Sequence, residues 1–289
     1  MRVLQSTTAK VALPVTTDLD EIPTTAGTAI AVTATTANGS ALAGGTITVS
    51  SADSTRPGVY YATLSATHTA NLNVLTLTTT ATVSSNTQTF VQSVEVVGAH
   101  YVTIADIRAL PGMADVDKFP TALLRQVRDQ FEDMVESITG TAWVPRFARV
   151  SLDGDGSNAL VLPDLHPRTV VSVTIDGTSC SASDFTLYEE GLIRRESTTF
   201  PAPSYSTGPR NVVVEYTHGH DAPPAQLREE ALSWIRYKVM QRLAGVQSNA
   251  IAEDNTRYST PDPANGRPTG SLTLDPILVD LNEKRPAIG

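Results

Sequence analysis

Residues 121–140, TALLRQVRDQFEDMVESITG, decide how the second half of the chain is built. Leu123, Leu124, Val127, Phe131, Met134, Val135 and Ile138 recur at helical spacing and line one face of a helix of about five turns. Pro120 stands where a first turn tolerates it, and Gly140 supplies the stop. Arg125, Arg128, Asp129, Glu132, Asp133 and Glu136 form the opposite, charged face. Upstream, Thr103 as a cap with Ile104, Ile107 and Leu110 predicts a short helix that Pro111-Gly112 ends. Downstream, a second long helix is predicted from Pro223-Pro224 to about Val246, with Leu227, Ala231, Trp234, Ile235, Val239 and Leu243 as its apolar stripe. Between the long helices lie short strands at 146–152, 160–162, 170–175, 185–188, 192–194 and 212–216. Residues 99–247 therefore read as an α+β domain, two long helices bracketing a small β insertion.

Residues 1–100 have a different character. They hold 8 of the 51 charged residues and 23 threonines. Threonine is β-branched and suits a pleated, half-exposed surface. Segments 28–35, 46–50, 59–65, 73–79 and 88–96 alternate with period two. Asn38-Gly39, Gly44-Gly45, Arg56-Pro57-Gly58 and Ser84-Ser85-Asn86 supply turn chemistry between them. The regular apolar face argues against a low-complexity, mucin-like tract. Residues 1–98 are thus expected to form an antiparallel β-sandwich of immunoglobulin-like type.

From Ser248 onward, Pro261, Pro263, Gly266, Pro268 and Gly270 predict a linker, so residues 248–289 are read as an extended tail. Its apolar strip is Leu272, Leu274, Ile277, Leu278, Val279 and Leu281. Two readings stay open for it: packing back on the chain's own helices, or presentation to a partner.

Whole-chain properties exclude several classes. The 289 residues carry a formal charge of -9, and no Lys/Arg run exceeds two, so a tight electrostatic grip on nucleic acid is not expected. The single cysteine, Cys180, excludes an intrachain disulfide and a thiolate zinc site, which suits a reducing compartment. No apolar run approaches the ~20 residues of a membrane span, and residues 1–15 lack the apolar stretch of a secretory signal. A soluble protein made in the cytoplasm, without a membrane partner, is the expectation.

Candidate chemistry is sparse. His218, His220 and Asp221 in His218-Gly-His-Asp221 could supply metal ligands, but no third convergent cluster accompanies them. Gly219 as a special backbone position and Asp221 as a helix cap is the better reading. Asp153-Gly-Asp-Gly-Ser-Asn158 departs from a calcium loop at its sixth and twelfth positions and reads as a hairpin turn. Asp176-Gly177 is a second turn. Cys180 has no neighbouring base, and His68, His100 and His166 are isolated in the sequence. Trp143 and Trp234 fall on core-like positions. No nucleophile elbow, phosphate loop or dinucleotide fingerprint is present. The chain is expected to be no enzyme and to use no cofactor or metal.

The order of segments carries a resemblance. A helix, Trp143-Val-Pro-Arg146, strand–turn–strand 150–163 ending Leu160-Val-Leu-Pro163, Val170-Val-Ser-Val-Thr-Ile-Asp-Gly177, Gly191-Leu-Ile-Arg194, then Val212-Val-Val-Glu-Tyr-Thr-His-Gly-His-Asp-Ala-Pro-Pro224 and a helix follow one another. Over residues 101–247 this succession resembles the head–tail connector (adaptor) proteins of tailed double-stranded DNA bacteriophages. The resemblance implies a structural virion protein of the neck, assembled as a homo-oligomeric ring of roughly twelve copies. Such a ring sits beneath the portal protein, extends the DNA channel, carries double-stranded DNA through its lumen without specific binding, and receives the next neck (stopper) or tail protein. In such families the C-terminal segment docks onto the portal, which would give the strip 272–281 its partner. For a ring, the charged face Arg125, Arg128, Asp129, Glu132 and Glu136 is expected to make inter-subunit ion pairs. The β domain is an addition with no role carried over. Alternatives are another neck or tail-completion protein, an immunoglobulin-like surface adhesin, and a metal-dependent hydrolase using His218, His220 and Asp221.

Overall fold

A computed structural model describes residues 1–16, 30–50, 58–83, 85–202, 209–244 and 268–282. The chain divides into two compact units, residues 1–98 with 146–149 and residues 99–145 with 150–289. Among the described residues it is mixed α+β and mostly β, with four sheets and four α-helices.

The first unit contains β1 (Arg2–Leu4), β2 (Ala9–Pro14), β3 (Ala31–Thr35), β4 (Thr48–Val49), β5 (Val59–Leu64), β6 (Asn73–Val83) and β7 (Asn86–Val97). One sheet has the order β1-β7-β6-β3 and the other β2-β5-β4. The period-two pattern decides which side chains turn inward. On β6, Leu75, Leu77, Ala81 and Val83 are buried, while Thr76, Thr78, Thr80 and Thr82 stay half-exposed. Val11 and Leu13 of β2, Tyr60, Ala62 and Leu64 of β5, and Val94 and Val96 of β7 join them, so both sheets share one apolar interior.

The five strands expected in this region are present within a few residues, apart from positions 28–29, and of the expected turns positions 56–57 and 84 likewise lie outside the described residues. β1 and β2 were not expected. The pairing of β1 corrects the antiparallel expectation at one edge, since it runs parallel to β7 from Arg2↔Glu95 to Leu4↔Val97, whereas β2 pairs antiparallel with β5. The Arg2 guanidinium holds the Glu95 carboxylate at 2.8 Å beside that register.

The second unit opens with α1 (Ile104–Ala109), which Thr103 caps. The Thr103 hydroxyl accepts from the Asp106 amide at 3.1 Å, and the Asp106 carboxylate accepts from the Thr103 amide at 2.9 Å. This reciprocal box satisfies two amides that the first turn leaves open. α2 (Thr121–Thr139) ends at Gly140, whose φ of 70° lies in the left-handed region that favours glycine.

Next along the chain come β8 (Arg146–Leu152, its first four residues counted with the first unit), β9 (Ala159–Val161), β10 (Pro167–Ile175), β11 (Thr178–Cys180), β12 (Phe185–Tyr188), β13 (Leu192–Arg195) and β14 (Val212–His218). They make two small sheets, β11-β10-β14-β8 and β12-β13-β9. β10 and β11 form a tight hairpin through Asp176-Gly177, both with positive φ, as a mirror-image two-residue turn requires. The turn at 153–158 is not a hairpin. β8 and β9 belong to different sheets, so this segment crosses between them, with Ser157 N–H donating to the Asp155 carboxylate at 2.8 Å.

α3 (Ala225–Ala244) and α4 (Leu274–Asp280) complete the unit. Val127, Phe131 and Val135 of α2 pack with Leu227, Ala231, Trp234 and Val239 of α3 in one buried cluster. Leu274 and Leu278 of α4 belong to the same cluster. The expectation of an extended tail is corrected for residues 274–280, while the linker positions Pro261, Pro263 and Gly266 lie outside the described residues: helical spacing places these two leucines on one side of a short helix that has a core to enter.

Leu278→Ala is expected to cost about 2–5 kcal/mol of unfolding free energy, because it empties a buried site. Val279→Ala, at an exposed neighbour, should stay within about 0.5 kcal/mol. Urea unfolding of both variants checks this. Thr103→Ala should lose about 1 kcal/mol with the cap. The Thr103 amide and hydroxyl hold the Asp106 carboxyl below the usual aspartate range. Its contribution is therefore complete above about pH 4 and is lost as pH falls through the lower folded value, and Asp106→Asn should flatten that acid limb in the same measurement.

Candidate functional site

The charged face read from the sequence of α2 separates into an internal and an external set. Arg125 is exposed, whereas Arg128 and Glu132 are buried at 3% and 0% exposure. Asp129 and Glu136 lie between these limits. The Arg128 guanidinium contacts the Asp129 carboxylate at 3.0 Å and reaches Glu132 at 4.0 Å. The Tyr101 amide donates to Glu132 Oε1 at 3.0 Å, and the Tyr101 hydroxyl donates to Glu136 Oε1 at 3.3 Å. Arg128 and Glu132 are thus removed from the surface expected to meet a neighbouring subunit. Their positions explain why: 128 follows Leu124 by four, and 132 precedes Val135 by three, so both share the inward side of the helix.

His100 joins this group and was missed as a site residue. Its Nδ1 lies 3.5 Å from Glu132 Oε1, and its side chain is 7% exposed. That nitrogen has no hydrogen-bond partner of acceptable geometry. Burial pushes the imidazole below its ordinary pKa, and the Glu132 carboxylate opposes that shift. Ligand atoms of His100, Asp129 and Glu132 all lie within 4.8 Å of one another. Among the described residues this is the group of imidazole and carboxylate atoms close enough to share an ion. No local motif marks it, because His100 and the α2 pair come together only in the fold.

The segment His218-Gly-His-Asp221 serves a different purpose. Gly219 has a φ of +96°, and a Cβ there would lie 2.5 Å from the Val144 carbonyl oxygen and 2.9 Å from that of Ala142. Only glycine permits this close backbone approach. The Gly219 amide donates to the His166 carbonyl and the His220 amide to the Ala142 carbonyl, each at 3.0 Å. The His220 ring stacks on Trp143 with centroids 4.6 Å apart. Asp221 does not cap α3, which starts four residues later. It pairs instead with Arg168 at 2.6 Å. His218 Nε2 lies 3.9 Å from Asp164 Oδ2, so His218, His220 and Asp221 face separate neighbours rather than one point.

The C-terminal strip also divides. Leu274 and Leu278 are fully buried, Ile277 and Leu281 half-buried, and Leu272 and Val279 exposed at 43% and 60%. Asp275, buried itself, accepts from the Thr269 amide at 2.9 Å, the Thr269 hydroxyl at 2.6 Å and the Gly270 amide at 3.1 Å. Thr273 donates to Glu230 of α3 at 2.8 Å. These bonds fix the entry into α4 and leave a narrow outward edge of the strip.

No helix among the described residues is long and apolar enough to cross a membrane. Comparison with protein-family models and with curated proteins finds no match.

Arg128→Met should destabilise the protein by about 3–5 kcal/mol, because it leaves buried carboxylates without their guanidinium. Arg125→Met, at an exposed position, should change stability by less than about 0.5 kcal/mol. Equilibrium denaturation of the pair distinguishes the internal residue from the external one.

Proposed function

We propose that the chain is a structural protein of the neck of a tailed double-stranded DNA bacteriophage, a head–tail connector that forms a ring below the portal. The observation that carries this reading is the order of elements in the second unit. Two long helices, α2 and α3, pack on each other and bracket a β insertion, and a C-terminal helix is seated against both. The last turn of α3 reaches α2 through Arg242, which donates to Gln126 at 3.2 Å and Gln130 at 2.8 Å. A rigid helical body of this kind suits a subunit that repeats around an axis.

The charge pattern fits a conduit. Residues 101–289 carry 25 acidic and 18 basic side chains, with no basic run longer than two. A duplex passing such a surface is repelled more than held, so it can slide. Partners in this reading are further copies of the chain, the portal, and the stopper or tail protein that follows, with the virion neck as its location.

The N-terminal unit is proposed to be an immunoglobulin-like sandwich that decorates the ring. Strand order supports this. Taking β2 to β7 as strands B to G of that fold, the sheet β2-β5-β4 is B-E-D and the sheet β7-β6-β3 is G-F-C. β1 then adds to the edge of G instead of lying beside B. The disulfide of antibody domains has no counterpart, since Cys180 is the single cysteine.

Portal docking, in this proposal, falls to the outward edge of the C-terminal strip. Truncation after Gly270 would remove core residues and confuse docking with folding. Leu272→Asp with Val279→Asp avoids that, since both side chains face water. This double variant is expected to keep the parent melting temperature and lose binding to purified portal rings, read by sedimentation. Retained binding would exclude the strip as the docking element. For the ring itself, electron microscopy of the full chain alone and with portal is the test. Closed rings stacked on the portal are expected. A chain that stays monomeric and leaves the portal bare would overturn the connector reading, and density elsewhere in the neck or tail would assign it to another neck or completion role.

A further inference from the structure

His100, Asp129 and Glu132 have the makings of a ligand set, and this goes beyond the connector reading and does not depend on it. Two ligands about 2.1 Å from a tetrahedral ion stand roughly 3.4 Å apart, close to the 3.5 Å between His100 Nδ1 and Glu132 Oε1. The third ligand atom needs only a modest movement, because all three already lie within 4.8 Å. His100 Nδ1 points to a ligand role: it is buried, faces Glu132 Oε1 at 3.5 Å, and makes no hydrogen bond of acceptable geometry. Glu132 Oε1 is held from behind by the Tyr101 amide at 3.0 Å, as ligands in metal sites are.

We propose that His100, Asp129 and Glu132 bind one divalent transition-metal ion of the zinc class, with solvent completing the coordination. One imidazole with two carboxylates suits zinc or manganese better than magnesium, which prefers oxygen ligands throughout. Ligation through Nδ1 places the imidazole proton on Nε2. The ion would tie the segment before α1 to the middle of α2, so its role is a structural staple and not a catalytic centre. Arg128 is the internal competitor, pairing with the same carboxylates when the ion is absent.

The test uses the untagged full chain, stripped with a chelator and titrated separately with Zn2+, Mn2+ and Mg2+ by calorimetry, with thermal melts in parallel. One Zn2+ per chain and a raised melting temperature are expected, and Co2+ should give the visible bands of a tetrahedral or five-coordinate site. His100→Gln and Asp129→Asn should each weaken Zn2+ binding at least about tenfold. The melting temperature of the stripped chain shows whether each variant still folds. No stoichiometric uptake by the parent chain would overturn the proposal. So would uptake unchanged in both variants, or binding of Mg2+ without Zn2+.

Discussion

Glu132 lies wholly out of water in the middle of α2, and a carboxylate there is tolerated only when donors surround it. The Tyr101 amide, from the segment that leads into α1, donates to Glu132 at 3.0 Å, and the Arg128 guanidinium, one turn earlier on the same helix, lies 4.0 Å away as an ion-pair partner. Meeting this one electrostatic demand fixes the height of that segment against α2. Tyr101 then carries the constraint further, because its hydroxyl receives the Trp143 amide and donates to Glu136. Trp143 in turn offers the plane on which His220 stacks, just before α3 begins. A chain of polar contacts therefore runs from residue 100 to the entrance of the second long helix, alongside the apolar cluster that joins α2, α3 and α4.

The same accounting separates interior from surface for any assembly this chain enters. Side chains such as Arg128, Leu274 and Leu278 are committed to the fold of their own unit. Arg125, Leu272 and Val279 are not, and they mark where contacts with other molecules can form without loss of stability. In the proposed connector reading, the acidic surface would surround DNA and not grip it.

Much of the local structure was legible in the sequence. The ends of α2 follow from Pro120 and Gly140, the start of α1 from the Thr103–Asp106 box, and the β10–β11 hairpin from Asp176-Gly177. The alternation of threonine with Val, Ile and Leu marked most strands of the first unit. These features depend on φ/ψ preferences and on neighbours within a few residues, so short-range reading captures them. β1 and β2 escaped it because the opening residues hold no turn motif that sets them apart, and β1 gains its pairing only from β7, far along the chain.

What only the tertiary structure decided involves residues distant in sequence. Helical spacing already implied that positions 128 and 132 share the side of Leu124 and Val135, yet charge suggested solvent. Desolvation is resolved by partners, and one partner at Glu132 is the Tyr101 amide, 31 residues away. Asp221 likewise chose Arg168 over a helix cap, and the loop at 153–158 linked two sheets because β8 found β14 and β9 found β13. The C-terminal strip had sequence enough to form α4, but whether it stood free depended on a cleft beside α2 and α3. The sequence by itself determined most of the elements and the change of character near residue 100. The three-dimensional structure decided which polar and apolar groups face inward, since burial is a property of the whole packed unit and not of any short segment.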